Sequence, residues 1–264
     1  MDCKNTGRQW QYRLNYKLDK KVDPARLLLK TNLEAEAVLP PSFSLRDQMP
    51  PVRDQGQLGA CTAFATGAAF EFCLTKQKIR KFKAPPSHLF LYYNGRVIGG
   101  GPVAQDTGLT VAEACKSAAE YGACPERMWP YIISEFATQP SQKCYTKAAK
   151  FRISNYVQVP QTLQALKHTL VDGFPVIFGI LVYSSFMSDQ VARTGIVPMP
   201  NTTRESLEGG HCVLLIGYDD VAQRFTCMNS WSTGWGDQGF FSIPYDYVLH
   251  SDLASDFWSF KAFS

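Results

Sequence analysis

Cys61 stands at the head of an apolar stretch, His211 lies 150 residues beyond it, and Asn229 follows His211 by 18. Cysteine attack on a carbonyl carbon needs a thiolate, an imidazole held in orientation by a third group, and donors for the developing oxyanion. An asparagine oxygen can accept from one ring nitrogen while the other nitrogen faces the thiol. Gly59 and Ala60, just before Cys61, are small enough to let a substrate approach. The free N–H groups of a helix start favour negative charge there. Each residue alone has an ordinary reading, since cysteines in apolar helices usually pack and lone histidines and asparagines usually serve structure.

The elements that must position these groups can be read from periodicity. Cys61 to Leu74 (CTAFATGAAFEFCL) predicts a buried helix, with Phe64, Ala68 and Phe72 on one face. A second helix is expected from Ser87 through Tyr93. A third begins at Thr110, whose hydroxyl and Glu113 form a capping box, and ends before Gly122. A fourth spans Gln161 to Val171, stopped by Asp172-Gly173. Beyond Pro175 the pattern changes to strands at Val176–Val182, His211–Tyr218, Arg224–Asn229 and Gly239–Ile243. In this reading His211 begins a strand and Asn229 ends the next one, so the two can lie side by side. Helices first and strands second predict an α+β fold of two packed subdomains with a site in the cleft between them.

Residues 1–38 read as a polar, irregular arm, with Ala25–Lys30 able to make one helical turn or a short strand. Leu39-Pro40-Pro41 marks its boundary with the body at 39–264. Met1–Lys17 contains no apolar h-region, and apolar runs such as Pro175–Val182 are far shorter than a membrane span. We therefore expect a soluble chain without a secretory signal in the sequence as it stands, its location open between the cytoplasm and export by another route.

The 264 residues carry a net charge of +4, and 19 Gly and 16 Pro are ordinary levels, which excludes collagen-like and disordered classes. So small a basic excess gives no reason to expect nucleic acid or membrane as partner. The run Lys76–Lys83 reads as a solvated face. Four histidines without ligand spacing argue against a metal, and Gly99–Gly101 lacks the setting of a phosphate loop, so no cofactor is expected. Eight cysteines without a CxxC leave the redox compartment open.

Taken together, Gln55-Gly56, Gly59-Ala60-Cys61, Ala63-Phe64-Ala65, Gly210-His211 with its apolar strand to Gly217-Tyr218, and NSWSTGWG at 229–236 with Gly239-Phe240 resemble the papain/cathepsin family of cysteine peptidases. The likeness covers residues 39–264 and implies a two-lobed α+β fold, with a mainly helical lobe (39–155), a β-barrel-like lobe (156–264), and chain ends crossing between lobes. Position by position it implies Cys61 as nucleophile, His211 as general base and acid, Asn229 as its orienting partner, and Gln55 as oxyanion donor with the Cys61 N–H. Trp231 resembles the tryptophan that covers the His–Asn bond and forms the prime-side surface, whereas Trp235 reads as core. Gly108 resembles the glycine that pairs with an extended substrate, with Thr107 where a glycine is usual. Leu109, Thr110, Gly179, Gly209 and Gly210 then border the substrate, with Leu109 and Thr110 as side chains around the pocket for the substrate's second residue.

Three departures stand out. Leu58 replaces the cysteine that ties the nucleophile loop to the cleft wall, Thr62 replaces the usual tryptophan, and Gly210 stands where an acidic residue is frequent. Cys124 and Cys144 could pair with each other. The resemblance implies a monomeric endopeptidase acting on extended peptides or proteins through a thioester. An acyltransferase using the same residues, or a silent protein-binding module, is the alternative. The arm carries Trp10, Tyr12, Leu14 and Tyr16, with Leu27–Leu29 able to dock on the body, and we expect it to lie over the cleft and restrict access.

Overall fold

A computed structural model describes residues 12–21, 38–79, 81–82 and 84–263. Trp10, Ala25–Lys30 and the Leu27–Leu29 docking segment lie outside the described residues, as do Arg80 and Lys83 of the basic run.

Three helices build the first lobe: α1 (Cys61–Lys76), α2 (His88–Ile98) and α3 (Val111–Glu120). Helix α1 is buried nearly all round, which its run of Ala and Phe without a polar face demands. Ser87 caps α2 by accepting from the Phe90 N–H. The Thr110–Glu113 capping box is present on α3 with both reciprocal bonds. The short helix α4 (Gln142–Ala148) was not expected from periodicity.

The second lobe is an antiparallel sheet. Its strands are β1 (Ser42–Ser44), β2 (Ile153–Gln158), β3 (Val176–Tyr183), β4 (Leu207–Asp219), β5 (Arg224–Met228), β6 (Phe240–Pro244) and β7 (Ala254–Phe263). They run in the order β2-β7-β3-β4-β5-β6, with β1 added to β4. Helices α5 (Leu163–Val171), α6 (Asp189–Thr194) and α7 (Tyr245–Leu249) flank it. His211 does not begin its strand, because β4 starts at Leu207 and carries His211 in its interior opposite Ile180. Strands β1, β2 and β7 were missed: β7 buries Ser255, Asp256 and Ser259 among its aromatics, which hides any alternation. One apolar core joins α1 and α3 to β3, β4 and β7, so the end of α1 that carries Cys61 is held rigidly against the strand that carries His211.

Candidate active site

Cys61 and His211 are both fully buried, one at the first turn of α1 and one in β4. Asn229 follows β5, the neighbour of β4, and its Oδ1 lies 2.7 Å from His211 Nε2. Among the described residues His211 Nδ1 has no hydrogen-bond partner, which leaves it as the nitrogen available to a thiol. The ring of Trp231 lies over the imidazole at 4.7 Å between centroids and is itself fully buried. Such a lid excludes water from the His–Asn bond, where low dielectric strengthens it. Trp235 packs against Trp231, Phe186 and Phe241 as core.

Gln55 is positioned by the same segment. Its N–H donates to the Ser230 carbonyl at 2.9 Å, Ser230 Oγ donates to its Oε1 at 2.7 Å, and Tyr131 Oη donates to its carbonyl at 2.8 Å. Its Nε2 is thereby aimed at the cleft, where it donates to the Arg13 carbonyl at 3.3 Å and to that of Leu58 at 3.1 Å. Ser230 and Tyr131 are positioning groups that sequence reading missed, although Ser230 sits inside the NSWSTGWG segment.

Residues 12–21 run through this cleft. Tyr12 stacks on Trp231 at 4.6 Å with rings nearly parallel, and its hydroxyl donates to the Trp231 carbonyl at 2.9 Å. Leu14 lies on Gly209 and Asn15 on Gly108, where any Cβ would collide with the Asn15 carbonyl. Gly108 also has φ of +69°, a conformation that favours glycine. The Tyr16 ring fills the space that Gly179 leaves by having no side chain, and the Tyr16 carbonyl lies where a Cβ on Gly210 would sit. Main-chain bonds fix the segment, from Tyr16 N–H to the Gly210 carbonyl at 2.9 Å and from Lys17 N–H to the Leu109 carbonyl at 3.1 Å. Farther along, the Lys21 carbonyl accepts from Gln158 and Lys20 pairs with Asp252.

Two expected pocket side chains face elsewhere. Leu109 is fully buried with its side chain against Gly95 of α2, and only its carbonyl serves the cleft. Thr110 uses its hydroxyl to cap α3. The correction has one cause: the positive φ at Gly108 and the start of α3 turn both side chains into the helical lobe. The floor beneath Tyr16 comes instead from β7, where Ser255 Oγ lies 3.2 Å from the Tyr16 hydroxyl. Asp256 beside it accepts from Trp258 Nε1 and the Val111 N–H, and burial pushes its carboxyl up to about 7. Thr107 lines the opposite rim with Asp106 and Gln57.

Burial governs the electrostatics. It pushes the Cys61 thiol up, against main-chain groups of Cys212, Asn15 and Thr62 and the Thr62 hydroxyl that favour the thiolate. It pulls His211 down from 6.5 to about 4, with the Asn229 bond opposing. The covered site therefore holds a neutral thiol and a neutral imidazole. An unfolded His211 takes its proton first as pH falls, so the stability it contributes is full above pH 6.5 and is lost between 6.5 and about 4. That window is worth about 3 kcal/mol at 1.36 kcal/mol per unit. We expect urea midpoints of the natural chain to fall more steeply across it than those of His211→Asn. Equal slopes would mean that the buried ring is charged.

All the described cysteines are free thiols, Cys124 and Cys144 included. Among the described residues no group of His, Cys, Asp and Glu could hold a metal ion, and no helix is long and apolar enough to cross a membrane.

The papain family cysteine protease profile matches residues 39–258. The crystal structure of xylellain, a cysteine protease from Xylella fastidiosa, is 33% identical and superposes with a TM-score of 0.84 over 94% of this chain and 96% of that one. An uncharacterized peptidase C1-like protein of Acanthamoeba polyphaga mimivirus is 37% identical over 78% of this chain and 68% of its own length. Cathepsin K of Gallus gallus is 31% identical over 72% of this chain, which spans only 54% of that protein. With a profile match over most of its length and an α+β fold shared with xylellain, the chain belongs to the papain family of cysteine proteases and is a papain-like cysteine peptidase.

Proposed function

We propose that the chain is an endopeptidase in which Cys61 attacks the scissile carbonyl, Gln55 Nε2 and the Cys61 N–H hold the oxyanion, and His211, oriented by Asn229, protonates the leaving amine. Water activated by neutral His211 then hydrolyses the thioester, returning the thiol and releasing the acid. The observation that carries this reading is a peptide segment in the cleft whose Arg13 carbonyl already lies on Gln55 Nε2. Cleavage within chains is favoured over trimming of ends because the segment continues past the site on both sides, from Tyr12 on Trp231 to Lys20 beside Asp252. Acyl transfer would use the same residues, but none of the relatives named above bears that description. The test is labelling by a peptidyl epoxide, read as one mass adduct that maps to Cys61 and is absent in Cys61→Ala.

Residues 12–17 also support a blocking role for the arm. By the family likeness, a substrate runs from the pocket at Gly179 toward Trp231, whereas the arm runs from Trp231 toward that pocket. Reversed in this way, it presents the Asn15 main-chain N–H to the Cys61 sulfur, a hydrogen-bond donor that offers the thiolate no electrophilic carbon to attack. The arm can therefore occupy the cleft without being cut. Being tethered, it competes at high effective concentration. Tyr16 is its buried anchor, and deleting such an anchor typically costs about 2 kcal/mol. Tyr16→Ala is thus expected to speed epoxide labelling roughly 30-fold, and a rate equal to that of the natural chain would reject the blocking role.

A further inference from the structure

Beyond the peptidase reading, and resting on it, we propose that Glu126 is a positioning residue of the oxyanion site, acting through Tyr131 on the main chain of Gln55. Glu126 opens a single 3₁₀ turn (Glu126–Met128), and its N–H donates to the Pro85 carbonyl at 2.8 Å, which seats the turn against the segment leading into α2. Its two carboxylate oxygens serve different parts of the chain. Oε2 accepts from the His88 N–H at 3.2 Å, one of the donors that the start of α2 leaves unpaired, and Oε1 accepts from the Tyr131 N–H at 2.6 Å. A helix N-terminus favours negative charge placed in this way.

Tyr131 lies in no helix or strand, so this bond and its packing set its place. Its ring meets that of Phe64 edge-on, with 4.8 Å between centroids, and His88 stacks on Phe64 at 4.3 Å. Phe64 lies in the first turn of α1, three residues beyond the nucleophile. From this seat the Tyr131 hydroxyl donates to the Gln55 carbonyl at 2.8 Å. The contacts thus run from the start of α2, through a carboxylate and a phenol, to the residue that supplies the oxyanion donor. Arg53 is taken by Glu71 at 2.9 Å, and burial pulls His88 down, so the imidazole 3.6 Å from Glu126 stays neutral. The charge of Glu126 is therefore directed at two main-chain donors, and such charge-assisted bonds are about twice as strong as neutral ones.

The Cys61 end of the same loop is held separately. Asp106, between α2 and α3, has a side chain only 7% exposed; its Oδ2 accepts from the Gly59 N–H at 3.0 Å and its Oδ1 from the Tyr92 hydroxyl, while Arg13 of the arm pairs with Oδ2 at 3.0 Å. Loss of the Glu126 carboxylate then frees the Gln55 end while the nucleophile end stays braced. Reactions that build an oxyanion suffer, and reactions that need only the sulfur do not.

The experiment uses the full chain and two reactions. Turnover of an internally quenched peptide passes through an oxyanion. Alkylation by iodoacetamide does not, because the Cys61 thiolate displaces iodide from the methylene carbon and a thioether forms. Both rates are taken per site titrated to completion with a peptidyl epoxide, so a smaller folded fraction does not register. Glu126→Gln keeps the size of the side chain but turns an amide donor toward one of the two N–H groups. It is expected to lower kcat about tenfold, with KM little moved and the alkylation rate of Cys61 unchanged. Tyr131→Phe, which loses only a hydroxyl and needs no change at the carboxylate, should do the same, and combining the two should add little. In a Gln55→Ala background either substitution should have almost no further effect. An unchanged kcat in either variant, alkylation that falls in step with turnover, or a loss that persists undiminished in Gln55→Ala overturns the proposal. A natural chain that neither turns over peptide nor takes the epoxide at Cys61, while iodoacetamide still labels it, rejects the peptidase reading itself.

Discussion

Cys61→Ala is expected to lower turnover of an internally quenched peptide by a factor on the order of 10⁶, the scale observed when a covalent nucleophile is removed. Alanine at this position removes only the sulfur from a site in the first turn of a well-packed helix, so the fold should stand. Helix α1 keeps its start, and the His211–Asn229 pair is held by β4 and the end of β5 independently of the sulfur. Near-natural turnover by a Cys61→Ala chain of unchanged thermal midpoint would reject the covalent route outright.

Gln55→Ala carries the second-largest expected effect, a fall in kcat of roughly 10² to 10³, as when one oxyanion donor is deleted. The main-chain bonds of residue 55 to Ser230 and Tyr131 do not involve the amide side chain, so the loop before Cys61 stays anchored in the variant. The loss should therefore appear in kcat, with KM little moved, because the donor acts on charge that develops only in the transition state. A variant that loses KM alone would make Gln55 a substrate-binding group.

Local signals were legible in the sequence wherever one residue determines one feature. Thr110 with Glu113 announced the start of α3 and Gly173 the end of α5, and through the family likeness Gly179 and Gly209 stood as small-walled positions, which Tyr16 and Leu14 approach closely. The order of Cys61, His211 and Asn229 pointed to the proposed site because a thiol, an imidazole and an orienting amide answer one chemical need, and Gln55 joined them through the family likeness. What stayed hidden depends on contacts distant in sequence. Strand β7 buries both of its faces, so Ser255 and Asp256 break the alternation that would have revealed it. Leu109 reads as a pocket residue until the turn at Gly108 swings it toward α2. Asp106 has no local pattern at all, since its meaning comes from Gly59, 47 residues earlier, and from Arg13.

The carboxylate of Asp106 joins Gly59 of the nucleophile loop to Tyr92 of α2, and Leu58 stands where the family likeness implies a cysteine that ties this loop to the cleft wall. The brace of this cleft therefore contains no electron-accepting bond. Reagents that return an oxidised Cys61 to its thiol cannot sever it, whereas in a sulfur-bridged relative the treatment that revives the nucleophile also attacks the wall beside it. Shape is chemically independent of thiol redox state here: the groove is braced by a carboxylate that reductants leave intact.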